Sequence, residues 1–432
     1  MPFTFFTVQT FLIIWLGQFA SLLGSEMTNF AITIWAWEVT GQATPLSFIL
    51  AVTQISRLLI SPFVGVWVDR YNRKYLMLLG DIVAGFSTIA ILALFLTNHL
   101  QIWHLYMSGA INGLFGYIQG LAHSASMSLI VKKRHYARAS AFESIQMSGS
   151  YVVAPAIAGA IYAVTGLSGI LIIDLVTFGI AIATLITVSI PQPTSQVTPS
   201  DTNLQQLTFG IRYLFKRPSL VALLVFFLVS GFINSASLSI LPAMILARSD
   251  NNAAIWGSLL AFFGTGGLLG GLTLGVWGGP KNRIHGILIF TAIWQFGLIV
   301  LAMTQSMAIK IGTTLVCGFC SPFPRSCSQA IWRSKVEPEV QGRVFSTRFL
   351  LTQLATPLAA AMAGPLADHV FEPTMQSEKP LAQLLGNIFG VDIGSGMALQ
   401  MTLFASCGVL IALGSYRIRR FRQIEHADAG RN

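Results

Sequence analysis

Two charged side chains stand inside apolar stretches, Glu26 in "LLGSEMTNF" and Arg57 in "TQISRLLISP". A carboxylate or a guanidinium so placed is costly unless it meets a partner or an aqueous cavity. Counted along successive helices, the two reach similar depths, so their spacing implies a Glu26/Arg57 pair. Two roles are open to that pair: a fixed ion pair, or a carboxylate that exchanges a proton or a cationic substrate with Arg57 as modulator. A later stretch sets Asn112, Gly116, Gln119 and His123 at i, i+4, i+7 and i+11, which is one helical face. That face looks onto a cavity or another helix, and His123 is either packed or in contact with a proton or substrate. Asp174 reads as a structural carboxylate towards the outer end of its helix. Arg325 lies between Pro322 and Pro324. It is either a cavity cation where the prolines open the helix, or a side chain reaching back to the headgroups.

Enzyme chemistry has no comparable set of residues. No nucleophile and base are arranged together, and the four cysteines, Cys317, Cys320, Cys327 and Cys407, form neither a disulfide framework nor a zinc pattern. "GTGGLLGG" lacks the strand context and the Lys of a phosphate-binding loop, and reads as helix packing. No catalytic residue, metal or cofactor is expected, and the chain reads as no enzyme.

The elements that position these residues follow from composition. Of 432 residues, 54% are hydrophobic and 10% charged, against about 25% charged in a soluble domain. Apolar runs of membrane-crossing length recur almost throughout, and a spanning segment must satisfy its own backbone, which implies a helical bundle. Breaks at Gly, Pro and charge give twelve spans near 11–36, 46–68, 75–96, 103–130, 139–163, 168–190, 219–246, 254–278, 284–304, 308–331, 347–370 and 396–416. The formal net charge is +10. All but five of the 26 Lys and Arg lie in loops on one side or in the C-tail: Arg248, Lys310 and Lys379 are in the opposite loops, Arg57 and Arg325 within spans. This is positive-inside patterning, which places both termini in the cytoplasm and removes nucleic acid as a partner.

"GVWVDRYNRK" (Gly65 to Lys74) joins spans 2 and 3, and "GVWGGPKNRI" (Gly275 to Ile284) joins spans 8 and 9, 210 residues on. A second echo, "ARASAFE" before span 5 and "GRVFSTR" before span 11, sets Arg138 and Arg343 205 apart. Two echoes at nearly one offset indicate duplicated six-helix halves, a parallel-repeat transporter plan. The expected organisation is 1–190 as the first half, 191–218 as a linker whose amphipathic helix carries Leu207, Ile211, Leu214 and Phe215 on one face, 219–416 as the second half, and 417–432 as a basic tail.

"GVWVDRYNRK" resembles the loop signature of the major facilitator superfamily, with Asn72 where that signature has Gly; Asn also tolerates a left-handed turn. "GIRYLFKRPSL", "VEPEVQGRVFSTR" and "AGPLADHVFEP" resemble its macrolide-efflux, drug-proton antiporter branch. The resemblance implies an all-α, twelve-helix secondary transporter of the bacterial inner membrane, exporting amphipathic small molecules by alternating access, with the proton as coupling ion and no oligomeric partner. It also implies a cytoplasmic latch in which Asp69 meets the start of span 11, with Gly65, Arg70, Arg73, Lys74, Arg138, Arg343 and Arg348 as its other residues. Gly65 would let helices approach closely. Asp69 itself sits at the negative end of its helix, where a carboxylate needs a partner. "SYVVAPAIAGA" resembles the antiporter motif of span 5, keeping Pro155 and Gly159 while Ser150, Ala154 and Ala158 replace glycines. It is either small-residue packing or an exporter gate. The Arg of the superfamily's span 4 antiport motif is absent, since Asn112 stands near its place. The alternatives are a dedicated siderophore, peptide or lipid exporter, and a membrane sensor that transports nothing.

Overall fold

The computed structural model describes residues 3–131, 136–188, 190, 203–337, 340–375, 380–418 and 421. Every expected span is helical there, as backbone groups in apolar surroundings must bond within their own segment. In chain order, α1 is Phe3–Thr40, α2 Ala43–Arg70, α3 Arg73–Leu96, α4 Ile102–Ile130, α5 Tyr136–Thr187, α6 Asn203–Phe215, α7 Pro218–Ala247 and α8 Ala253–Trp277. Then come α9 Arg283–Met303, α10 Met307–Cys320, α11 Pro322–Lys335, α12 Gln341–Gln353, α13 Ala355–Leu366, a π turn Ala367–Phe371, α14 Glu372–Thr374, α15 Pro380–Phe389 and α16 Ser395–Gly414. Among the described residues, nine helical stretches are long and apolar enough to cross a membrane.

Two expected spans, 5 and 6, run together as the 52-residue α5, which turns at Gly166. With φ 61° and ψ −166°, that position suits a residue without a Cβ. The reverse happens in span 10, which is divided between α10 and α11. Pro322 and Pro324 have no N–H to give, so the bonding ladder is interrupted although Ser321 keeps helical dihedrals (φ −58°, ψ −37°).

The chain forms two compact units. The first comprises residues 1–40, 48–199 and 251–261, and the second 41–47, 200–250 and 262–432. Each therefore includes the opening of a helix, α8 or α2, whose remainder belongs to the other. Phe11, Ile14, Trp15, Met77, Ile118 and Leu185 centre one core of the first unit. Its α5 meets the opening of α8 backbone to backbone: a Cβ on Gly159 would stand 2.9 Å from the Ala253 carbonyl oxygen, and one on Gly257 would strike that of Pro155. In the second unit, Leu220, Phe226, Ile287, Trp332 and Val344 pack into one core with Phe421. The glycines of "GTGGLLGG" do pack a helix, since Cβ atoms on Gly266 and Gly270 would collide with the Leu315 and Phe319 carbonyls of α10.

The linker helix α6 lies on α12, with Gly210 against Thr347 and the Arg343 carbonyl. Leu214 is buried, and Phe215 is 74% exposed. The side chain of Leu207 falls outside the described residues.

Both repeated loops end in an asparagine that starts the next helix. Asn72 Oδ1 accepts from Lys74 N at 3.0 Å, and Asn282 Oδ1 accepts from His285 N at 3.0 Å. Asn72 has φ −63° and ψ 115°, an extended N-cap instead of the left-handed turn its type allows. The left-handed positions of the second loop are Gly278 and Gly279.

Candidate functional site

Within the first unit, α1, α3, α4 and the second limb of α5 bring together polar side chains from apolar helices. Asp81 of α3 is 3% exposed. Gln18 Nε2 of α1 donates to its Oδ2 at 3.0 Å, and Gln119 Nε2 of α4 donates to its Oδ1 at 3.3 Å and also to Gln18 Oε1. Two turns along α3, Thr88 Oγ1 donates to Asp174 Oδ2 at 3.1 Å, and Thr28 Oγ1 of α1 donates to the same oxygen at 2.9 Å. Asp174 is 1% exposed, and its Oδ1 is buried with no hydrogen-bond partner. Neutral amides and hydroxyls thus surround both carboxylates. A hydrogen bond to a charged group contributes about 1.5–3 kcal/mol, less than the desolvation of an isolated charge.

Glu26, on α1 and half-buried, has a side-chain hydrogen bond with Asn29 and feels the charge of Arg57. The expected close pairing is not made: among the described residues the ion pairs are Arg73–Asp69 and Arg217–Glu337. Arg57 is exposed on α2. Similar depth did not bring the two into contact, because depth leaves the rotation of each helix open.

The polar face of α4 looks mainly onto helices. Asn112 Nδ2 reaches Ser87 Oγ at 3.4 Å and Ser108 Oγ at 3.3 Å, and Gln119 joins the Asp81 cluster. His123 Nε2 is buried without a hydrogen-bond partner, and Gly116 is exposed.

Around the first repeated loop, Arg73 is 7% exposed. Its guanidinium donates to the Ala125 carbonyl at 2.8 Å and lies 3.6 Å from Asp69, whose side chain is 57% exposed. Lys74 Nζ donates to the Ile186 and Val188 carbonyls at 3.0 and 2.7 Å, capping the end of α5, where a cation suits the helix dipole. Arg70 is exposed. Apart from its own helix backbone, no described residue lies within 4 Å of a Cβ built on Gly65. The Arg138 side chain lies outside the described residues.

In the second unit, Arg343 stacks over Phe209, 5.1 Å from the ring centre. Arg348 donates to Gln329 Oε1 at 3.1 Å and Ser328 Oγ at 3.2 Å, with Trp332 beneath it. Arg325 is exposed, and its charge acts on Arg348.

Sequence reasoning missed Asp81, although the rule applied to Glu26, an acid inside an apolar run, would have found it. It also missed the network at the far end of α13. There Asp368 accepts from Ala43 N at 2.9 Å, Thr44 N at 2.8 Å and Thr44 Oγ1 at 2.5 Å. Glu372 accepts from Met397 N at 2.8 Å and Gly394 N at 3.2 Å. Arg248 donates to the Ala302 and Phe389 carbonyls at 2.5 and 2.6 Å. Burial pulls the Arg248 pKa below its ordinary value, and Glu372 and Asp392 pull it back.

The family model of the Major Facilitator Superfamily matches residues 14–360. The chain belongs to that superfamily. It is 28% identical to macrolide efflux protein A of Streptococcus pyogenes over 367 residues, covering 83% of this chain and 90% of that protein. It is 24% identical to the enterobactin exporter EntS of Shigella flexneri over 432 residues, covering 96% and 94%. The fold is similar to that of a bacterial homologue of the lysosomal transporter Spinster in an inward-facing, occupied conformation, with TM-score 0.72 and 14% identity, covering 97% of each chain. The nucleoside transporter NupG gives TM-score 0.70 at 12% identity, covering 96% of this chain and 98% of that one. This Major Facilitator chain is thus a multi-pass membrane transporter of small molecules and not an enzyme.

Proposed function

We propose that this transporter exports amphipathic small molecules, macrolide-like drugs or secondary metabolites, in exchange for protons by alternating access, from a bacterial inner membrane with both termini cytoplasmic. The direction and substrate class draw on the similarity to a macrolide efflux protein over most of both chains. The observation that carries proton coupling is the set of three carboxylates, Glu26, Asp81 and Asp174, inside apolar helices of one unit, none of them in a close ion pair among the described residues. A carboxylate in a span without a fixed counter-ion is the kind of group that holds and releases a proton in pumps and transporters. Asp69 acts at the basic-loop end, where its exposed oxygen can take a second partner beyond Arg73 during the cycle. Asp69→Asn then impairs transport while leaving membrane insertion intact, and wild-type transport by the folded variant would remove that role.

A dedicated siderophore exporter is the second reading, favoured by the similarity to EntS along 96% of the chain. A competition profile in reconstituted vesicles separates the two. Inhibition of flux by many unrelated macrolides and lipophilic cations supports the broad exporter, and inhibition by one catecholate siderophore alone supports the dedicated one.

A further inference from the structure

We infer that the second repeated loop, which has no carboxylate where the first has Asp69, forms a binding site for a phosphate mono- or diester of net negative charge at the basic-loop end of the second unit. In the first copy the arginine opening α3, Arg73, is buried, with Asp69 and the Ala125 carbonyl as partners. Its counterpart opening α9, Arg283, is exposed, and Gly279 and Pro280 stand where the first copy has Asp69 and Arg70. Arg283 lines an open cavity of about 470 Å³ with Ser326, Gln329, Ala330, Arg333 and Ser334 of α11. Small-molecule sites occupy about 300–1,000 Å³.

Among the described residues the lining offers two guanidinium groups, one amide and the Ser326 hydroxyl, with no carboxylate, while the Ser334 hydroxyl donates to the Ile331 carbonyl at 2.9 Å. Gln329 turns its amide oxygen to Arg348 and keeps its –NH₂ as the group it can offer. Among the described residues neither Arg283 nor Arg333 has an acidic partner. The acid nearest Arg333 in sequence, Glu337, is taken by Tyr213 and by Arg217 at 2.6 Å. Two like charges therefore face one cavity beside the positive end of α9, an arrangement that an anion stabilises. Two forked guanidinium donors with an amide and a hydroxyl in the same lining match an oxyanion with several oxygens, and a phosphate ester is such a group. It can come from an anionic phospholipid of the surrounding leaflet or from a soluble phosphate ester.

The test uses the full chain in neutral detergent, titrated with short-chain phosphatidylglycerol, short-chain phosphatidylcholine and glycerol 3-phosphate. Wild type is compared with R283Q/R333Q and R283K/R333K, with helical content checked by circular dichroism. The site requires saturable phosphatidylglycerol binding that is roughly 30-fold weaker in R283Q/R333Q, the effect of two lost cationic contacts, and largely kept in R283K/R333K. Displacement of the lipid by glycerol 3-phosphate upholds the site with a soluble ester as occupant, and failure to displace it upholds the site with the lipid. Equal affinity of the wild type for the two lipids, or unchanged binding by a folded R283Q/R333Q, overturns the proposal.

Discussion

Asp368 takes three hydrogen bonds from two consecutive residues at the start of α2, so one carboxylate satisfies donors that a helix cannot bond for itself. Glu372, four residues later, does the same for the start of α16. Asp368→Ala is expected to destabilise the protein by about 1–2 kcal/mol, the upper range for a lost cap. Asp368→Asn retains an acceptor and loses less, which thermal unfolding of the purified variants checks. In sequence these acids were visible only as part of "AGPLADHVFEP", a family marker, because a cap between distant segments leaves no periodic trace. Asp81 is legible as an acid inside an apolar run. Its cluster lies one turn or more from any loop, and the polar partners Gln18 and Gln119 are 63 and 38 residues away. Spacing along one helix cannot reveal such partners.

At the scale of elements, helix type and extent were the legible part, since apolar length and Gly/Pro punctuation depend on the chain alone. Which glycine serves which purpose was not, because a close approach depends on the neighbouring helix. Gly257→Ala places a Cβ against the Pro155 carbonyl, and backbone cannot give way as a side chain can. The expected cost is about 1–3 kcal/mol, as for overpacking. Gly65→Ala has open space around it and should stay within about 0.5 kcal/mol of wild type. The contrast between the two melting temperatures tests the assignment. The linker helix supplies a further prediction. Glu337, bonded to Tyr213 and Arg217, has its carboxyl held below the ordinary 4.5, first by its own backbone hydrogen bond and then by Arg217. A depressed carboxyl contributes fully above its unfolded value and loses that contribution as pH falls through the folded one. Hydrogen exchange in residues 209–217 should therefore be slow at neutral pH and quicken below about pH 4.5 relative to the rest of the chain, after correction for the intrinsic rate. Arg217→Ala should quicken it already at neutral pH.

For the whole molecule, the two units and their repeated loops carry different chemistry. The first unit holds Glu26, Asp81 and Asp174 within its spans and pairs its loop arginine. The second leaves its loop arginine on an open cavity and carries Arg325 and Arg348 on successive spans. The repeated loop was readable from "GVW…NR" and its echo; the division of labour was not, since it rests on which side chains the helix rotations bring together. Proton movement through carboxylates of the first unit is the central step of the proposed cycle. Its most direct test is substrate-dependent proton movement in vesicles reconstituted with wild type, Glu26→Gln, Asp81→Asn or Asp174→Asn. Proton release coupled to macrolide uptake is expected in the wild type, and its loss in at least one of the three variants while substrate still binds. Undiminished proton movement in all three folded variants would contradict it.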